Sequence, residues 1–141
     1  MPLLSDTDLR RAMTKYAPVF RIEEFVCRHC GEVTMHTDFL DKLYHLRDAL
    51  SWPMKVSSGY RCPLHNKAVS STGLNGPHTT GRAADIEVSG LVAYHLIRLA
   101  FEAGITGIGV SQKGVVKSRF IHLDDIPVKS ITIPRPRIWS Y

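Results

Sequence analysis

AADIEVSGLVAYHLIRLAFEAGITGIGV, residues 83–110, sets the architecture. In AADIEV, residues 83–88, apolar Ala84, Ile86 and Val88 alternate with acidic Asp85 and Glu87, the two-residue period of a strand. Gly90 then leads into a helix whose candidate buried positions are Leu91, Tyr94, Leu96, Ile97 and Ala100, and Gly104 suits its C-terminal cap. GIGV, residues 107–110, reads as the next strand. RFIHLD, residues 119–124, follows across a loop containing Gly114, so these two strands suit a hairpin.

Upstream, MKVSS (54–58) reads as a short strand with a turn at Gly59. Before it, Thr37 or Asp38 opens a helix with Phe39, Leu40, Leu43, Leu46 and Leu50 at helical spacing, and Pro53 stops any continuation. Ser5 caps a short helix from about Asp6 to Lys15, with Asp8 near its positive end. RIEEFVCRHCGE (21–32) is irregular. Residues 61–84 carry Pro63, Gly73, Gly76, Pro77 and Gly81 and read as a long loop, which in a compact domain usually serves function. The tail ITIPRPRIWSY is expected to lie along the surface. The expected fold is α+β: helices packed against a small, mostly antiparallel sheet.

The 141 residues suit one domain, and 44% apolar with 22% charged residues is an ordinary soluble composition. A net charge of +5 and a pI near 9.3 favour polyanionic neighbours, nucleic acid or anionic cell-wall polymer among them. No run of five basic residues and no basic helix interleaved with aromatics supports specific nucleic-acid binding. No apolar stretch approaches the roughly 20 residues of a bilayer span, so membrane insertion is not expected. MPLLSDTDLRRAMTKYAP has no basic start followed by an apolar core, so synthesis in the cytoplasm without a signal peptide is expected.

Chemistry concentrates in HTTGRAAD (78–85) and FIHLD (120–124). His78, Asp85 and His122 are two imidazoles and a carboxylate, a set that satisfies zinc with one position left open. Gly81 and small Ala83 and Ala84 let the loop close. On spacing alone the signal is weak: the chain has seven histidines, and Asp85 could simply pair with Arg82. His45 and His95 sit in helical patterns without ligand partners. Alternation puts Phe120, His122 and Asp124 on one strand face, Asp125 on the other, and Glu87 on the face of Asp85.

Three ordered motifs, SGYRCPLHN (58–66), PHTTGRAAD (77–85) and FIHLD (120–124), resemble the zinc D-alanyl-D-alanine carboxypeptidase family, whose relatives include phage endolysins, D-Ala-D-Ala dipeptidases and the hedgehog amino-terminal domain. With EFVCRHCGE the resemblance spans about residues 20–125. It implies a single zinc peptidase domain over 1–141, one catalytic zinc held by His78, Asp85 and His122, and hydrolysis of D-alanine or D,L-linked peptide bonds in peptidoglycan. It implies that Arg61 and Tyr60 bind substrate, with Arg61 also meeting the developing oxyanion, and that Tyr60 and Asn66 shape the loop. The family serine two before the first histidine is Gly76 here. Branches with a proton-transfer residue two or three before the late histidine have no counterpart, since Phe120 and Arg119 stand there. Asp124 is the substitute, either taking a proton from the attacking water or orienting a ligand histidine. A monomer acting on the wall or periplasm after release, endolysin-like and phage- or prophage-encoded, is expected. The rival is a non-catalytic zinc-containing binding module of the same fold.

Three cysteines, an odd number, argue against a complete disulfide framework. Cys27-x-x-Cys30 and Cys62-x-x-His65 are half-sites with zinc-like spacing, but lie far apart in sequence. A structural zinc at Cys27, Cys30, Cys62 and His65 is therefore less expected than buried thiols or a disulfide.

Overall fold

A computed structural model of the chain describes residues 4–141. Helix α1 is Asp6–Ala12, and it continues through a tighter turn at Met13–Tyr16. Ser5 Oγ accepts the Asp8 N–H at 3.1 Å, as the cap requires. Helix α2, Thr37–Leu50, buries Phe39, Leu40, Leu43 and Leu46. It is followed by strand β1 (Lys55–Ser58), helix α3 (Pro63–Val69), strand β2 (Ala83–Glu87), helix α4 (Gly90–Glu102), and strands β3 (Gly107–Ser111), β4 (Phe120–Asp124) and β5 (Arg137–Ser140).

The sheet order is β1-β2-β4-β3-β5, antiparallel throughout except for the parallel β3–β5 pair. The α+β expectation holds, and β3 and β4 pair as a hairpin would. Strand alternation divides the sheet's two faces. Ala84, Ile86, Ile108, Ile121 and Leu123 join Leu40, Leu43, Leu46 and Leu96 in the core under α2 and α4. Asp85, His122 and Asp124 emerge on the opposite face. Register then assembles the site: Asp85 stands opposite His122, His122 opposite Gly109, and Asp124 opposite Gly107.

Three expectations are corrected. Residues 61–84 are not all loop: Cys62 caps α3, its Sγ accepting the His65 N–H at 3.4 Å, and Pro63 takes the first helical turn. The apolar period that announces a helix is missing because Leu64 and Val69 are exposed. In α4, Leu91 and Tyr94 are 71% and 67% exposed, and Ala93, Leu96 and Ala100 face the core instead. A small residue lets this helix approach the sheet where a tyrosine would hold it off. Finally, the tail forms β5, because prolines 134 and 136 both precede it and leave its own N–H groups free to pair.

Candidate active site

The two histidines of the His–Asp–His set are each oriented by an acceptor at one ring nitrogen. His78 lies in a tight turn, Pro77–Thr79, and its Nδ1 lies 2.7 Å from the Gly59 carbonyl. A carbonyl only accepts, so Nδ1 carries the proton and Nε2 presents a bare lone pair. His122 is anchored in the reverse sense. Its Nε2 lies 2.7 Å from Asp124 Oδ2, so Nε2–H donates there and Nδ1 is bare.

The two bare nitrogens meet the third acceptor. His78 Nε2 is 3.2 Å from Asp85 Oδ1, His122 Nδ1 is 3.0 Å from the same oxygen, and the nitrogens are 3.2 Å apart. Three acceptors converge with no donor among them, an arrangement that calls for a cation. Tetrahedral zinc with bonds of about 2.0–2.1 Å has ligand-to-ligand edges of about 3.3 Å, close to this triangle. The donor set therefore fits zinc. Without a cation the same field draws a proton. Burial opposes charge on His122, yet Asp124 and Asp85 hold its pKa above the usual imidazole value. Burial pulls His78 below that value against the pull of Asp85. Burial would raise Asp85, but His78 and His122 hold it well below the ordinary carboxylate range.

The triangle opens into a cleft of about 600 Å³. Arg61 forms one wall. Its Nε donates to Ser58 Oγ (3.1 Å), Nη1 to Asn66 Oδ1 (3.3 Å) and Nη2 to Asp85 Oδ2 (3.4 Å). Three of five N–H donors are used, leaving two on a side chain that lines the cleft and is 18% exposed. Asp85 thus pairs with Arg61, while Arg82 ties Asp38 to buried Asp125 at 3.0–3.2 Å.

Asp124 is not placed as a proton carrier to the cleft. It is 0% exposed and lies behind the imidazole, with both oxygens taken by Arg135 (2.8 and 2.7 Å) and one also by His122 Nε2–H. Alternation gave the correct face, but not that the ring of His122 stands between this carboxylate and the open side. Tyr60 is corrected too. It packs against the core, its N–H donating to the Phe25 carbonyl at 2.9 Å, and it is not among the cleft-lining residues. Glu87 pairs with Lys55 at 3.3 Å and is likewise outside the cleft. Asn66 shapes the loop as expected, donating to Thr72 Oγ1 and the Gly73 carbonyl. A Cβ on Gly76 would lie 2.0 Å from Thr72 Oγ1, so the Thr72 hydroxyl occupies the space of the family's serine.

The tail supplies residues the sequence reading missed. Arg137, Trp139 and Tyr141 line the cleft, and the Trp139 ring lies 5.0 Å from that of His122. Arg135 holds Asp124. A Cβ on Gly107 would meet the Asp124 carboxylate at 2.3 Å, and one on Gly109 the Trp139 indole at 2.7 Å. The two glycines keep one face of β3 bare so that these side chains can lie across it.

A second cluster joins Cys27, Cys30 and Cys62, all free thiols. The nearby imidazole is His29, whose Nδ1 is 3.6 Å from Cys62 Sγ, and not His65, which meets that sulfur through its backbone N–H. Burial opposes ionisation, but backbone N–H groups of Cys62, Cys30 and His29 bring the Cys27 thiol down to about 7.

Two imidazoles and a carboxylate on the polar face of an α+β sheet, open to a cleft on one side, define a hydrolytic metal centre in class. The family model described as Peptidase M15 matches residues 18–124, and the chain belongs to that family, zinc peptidases of the D-Ala-D-Ala carboxypeptidase type. No curated protein and no solved structure matches the chain. The family match ends at Asp124, so β5 and its cleft residues lie beyond it. No helix among the described residues is long and apolar enough to cross a membrane.

Proposed function

We propose that this peptidase hydrolyses amide bonds in peptidoglycan stem peptides, as a D-Ala carboxypeptidase or a D,D- or L,D-endopeptidase. The observation that carries the reading is the donor-free triangle of His78 Nε2, Asp85 Oδ1 and His122 Nδ1 at the floor of a cleft. His78, Asp85 and His122 would hold a zinc there, which would supply a Lewis acid for the scissile carbonyl and the attacking water.

The chain's own groups do the rest. His78 and His122 offer lone pairs because Gly59 and Asp124 take their protons. The two free Arg61 donors meet the oxyanion or a substrate carboxylate. Trp139 and Tyr141 offer apolar faces against which small alanyl side chains pack, and Arg137 adds positive charge for a stem-peptide carboxylate. Asp85 is the one carboxylate among the described cleft residues, so the proton moves through water or through the substrate's own carboxylate. The basic surface suits an anionic wall, and release of a phage- or prophage-encoded, endolysin-like monomer to the wall or periplasm fits the same reading.

The missing cleft carboxylate favours one second reading: a zinc-containing module of this fold that binds wall peptide without cutting it. Digestion of purified peptidoglycan, with and without chelator, followed by mass spectrometry of the muropeptides separates the two. New, chelator-sensitive termini are expected. Binding to the wall with no new termini would replace the enzyme with the binding module.

A further inference from the structure

We propose that Cys27, Cys30, Cys62 and His29 form a second, structural zinc site, independent of the hydrolytic centre. Three free thiols from two distant segments have their sulfurs within 4.8 Å of one another. Thiolates around a tetrahedral zinc with Zn–S bonds of about 2.3 Å lie about 3.8 Å apart, so only small shifts of the three sulfurs are needed. His29 Nδ1 lies 3.6 Å from Cys62 Sγ, outside the three-sulfur cluster, and a turn of its exposed ring brings it to the fourth position. A disulfide explains two of these sulfurs and leaves the third beside them without purpose.

The surroundings are built for thiolates. Cys62 N–H donates to Cys27 Sγ at 3.3 Å, and His65 N–H donates to Cys62 Sγ at 3.4 Å. The Cys27 carbonyl accepts the Gly31 N–H at 3.0 Å, and Gly31 takes a left-handed φ of 77°, which folds Cys-x-x-Cys back on itself. The His65 ring lies parallel to that of His29, 5.8 Å away, and holds it in place. His65 is thus a support, while His29 is the ligand.

The site explains how an irregular segment holds its position. Residues 25–36 contain neither helix nor strand, yet Phe25 lies so close to Gly59 that a Cβ there would be 2.5 Å from its Cα. The Phe25 carbonyl accepts the Tyr60 N–H at 2.9 Å. A metal joining residues 27–30 to the cap of α3 staples this contact, and with it the Gly59 carbonyl that fixes His78. Small irregular regions commonly need such a staple.

Elemental analysis of the full chain, purified under reducing conditions, should give two zinc ions per chain. His78→Ala should lose the hydrolytic metal and keep the thiolate-bound one. Cys30→Ser should do the reverse, His29→Ala should keep the hydrolytic metal and hold the thiolate-bound one more weakly, and His65→Ala should keep both. Cobalt substitution gives a readout that does not depend on activity or on folding of the cysteine variant. Wild type and His78→Ala should both show thiolate-to-cobalt charge-transfer absorption in the near ultraviolet, and His29→Ala should weaken or shift it. A wild-type cobalt spectrum without thiolate bands, a metal-free His78→Ala protein, a His29→Ala spectrum identical to wild type, or a Cys27–Cys62 disulfide in the unreduced peptide map would each overturn the site. None of these outcomes touches the assignment of His78, Asp85 and His122.

Discussion

Asp124→Asn probes the active site from behind. Every hydrogen-bond neighbour of the Asp124 carboxylate presents a proton: Arg135 Nε and the Ile126 N–H to Oδ1, and Arg135 Nη2 with His122 Nε2 to Oδ2. An amide therefore has no place for its NH2 group. Turned toward His122, it drives the imidazole to the Nδ1–H tautomer and puts a proton where a ligand lone pair stood. Turned toward Arg135, it opposes donor to donor beside a guanidinium that is 3% exposed. Loss of such an orienting partner weakens metal binding by about 10–100-fold. Removing one partner of a buried ion pair costs about 3–5 kcal/mol. At about 2–4 °C per kcal/mol for a domain near this size, Tm falls on the order of 10 °C.

The assay is hydrolysis of a stem-peptide substrate against buffered free zinc, with Tm measured on the same samples. The zinc requirement should rise by about 10–100-fold, and the rate at saturating zinc should return to within a few-fold of wild type. A variant that binds zinc normally yet turns over about 100-fold slower or worse at every zinc level would refute the reasoning, since that is the behaviour of a proton carrier. Arg135→Met supplies the contrast. It should lower Tm comparably but weaken zinc less, because Asp124 still accepts the His122 Nε2–H.

Four further outcomes are expected. Arg61→Ala should keep zinc while turnover falls about 100–1000-fold, the usual loss for an oxyanion donor, and Arg61→Lys should recover little, as kinetics with metal analysis will show. Gly76→Ser should lower stability by about 1–3 kcal/mol through overpacking against Thr72, and Thr72→Ala should restore most of it in the double variant, read by denaturant titration. Gly109→Ala should push Trp139 off His122, raising KM more than it lowers kcat; in a Trp52→Phe background Trp139 is the sole indole and its emission should shift. Burial works against it, but Arg82 holds Asp38 below the usual carboxylate pKa, so its stabilisation is present above about pH 4 and is lost as pH falls through the lower folded value. Asp38→Asn should flatten that acid limb of Tm against pH.

Much of the fold was legible because strand and helix periods differ and both are strong here. AADIEV and FIHLD alternate cleanly, and Phe39, Leu40, Leu43 and Leu46 repeat as a helix face does. The candidate metal ligands were legible from motif order, since spacing alone could not set His78 and Asp85 apart from other polar pairs. Tautomers were not legible. Which nitrogen of His122 faces the cleft depends on Arg135 and Asp124, groups eleven residues apart that meet only in the folded state. Helix α3 was hidden because its signal is a cap at Cys62 and Pro63, not an apolar stripe.

The tail shows how two weak signals become one strong one. The tail was expected along the surface, and its prolines 134 and 136, read alone, mask a strand. Yet Arg137, Trp139 and Tyr141 recur at every second position, and exposed Ile138 lies between them. On β3, Gly107 and Gly109 have the same period and leave the same sheet face bare. A strand stripped of side chains on its polar face needs something to cover that face, and an aromatic strand with the matching period provides it. Parallel pairing sets Gly109 opposite Trp139, so the bare backbone accepts the indole and carries it to within 5.0 Å of the His122 ring. The aromatic wall of the cleft thus comes from residues beyond the family match at Asp124, while Arg61 and the candidate metal ligands lie within it. Replacing Trp139 should therefore change which peptide is preferred and leave zinc in place.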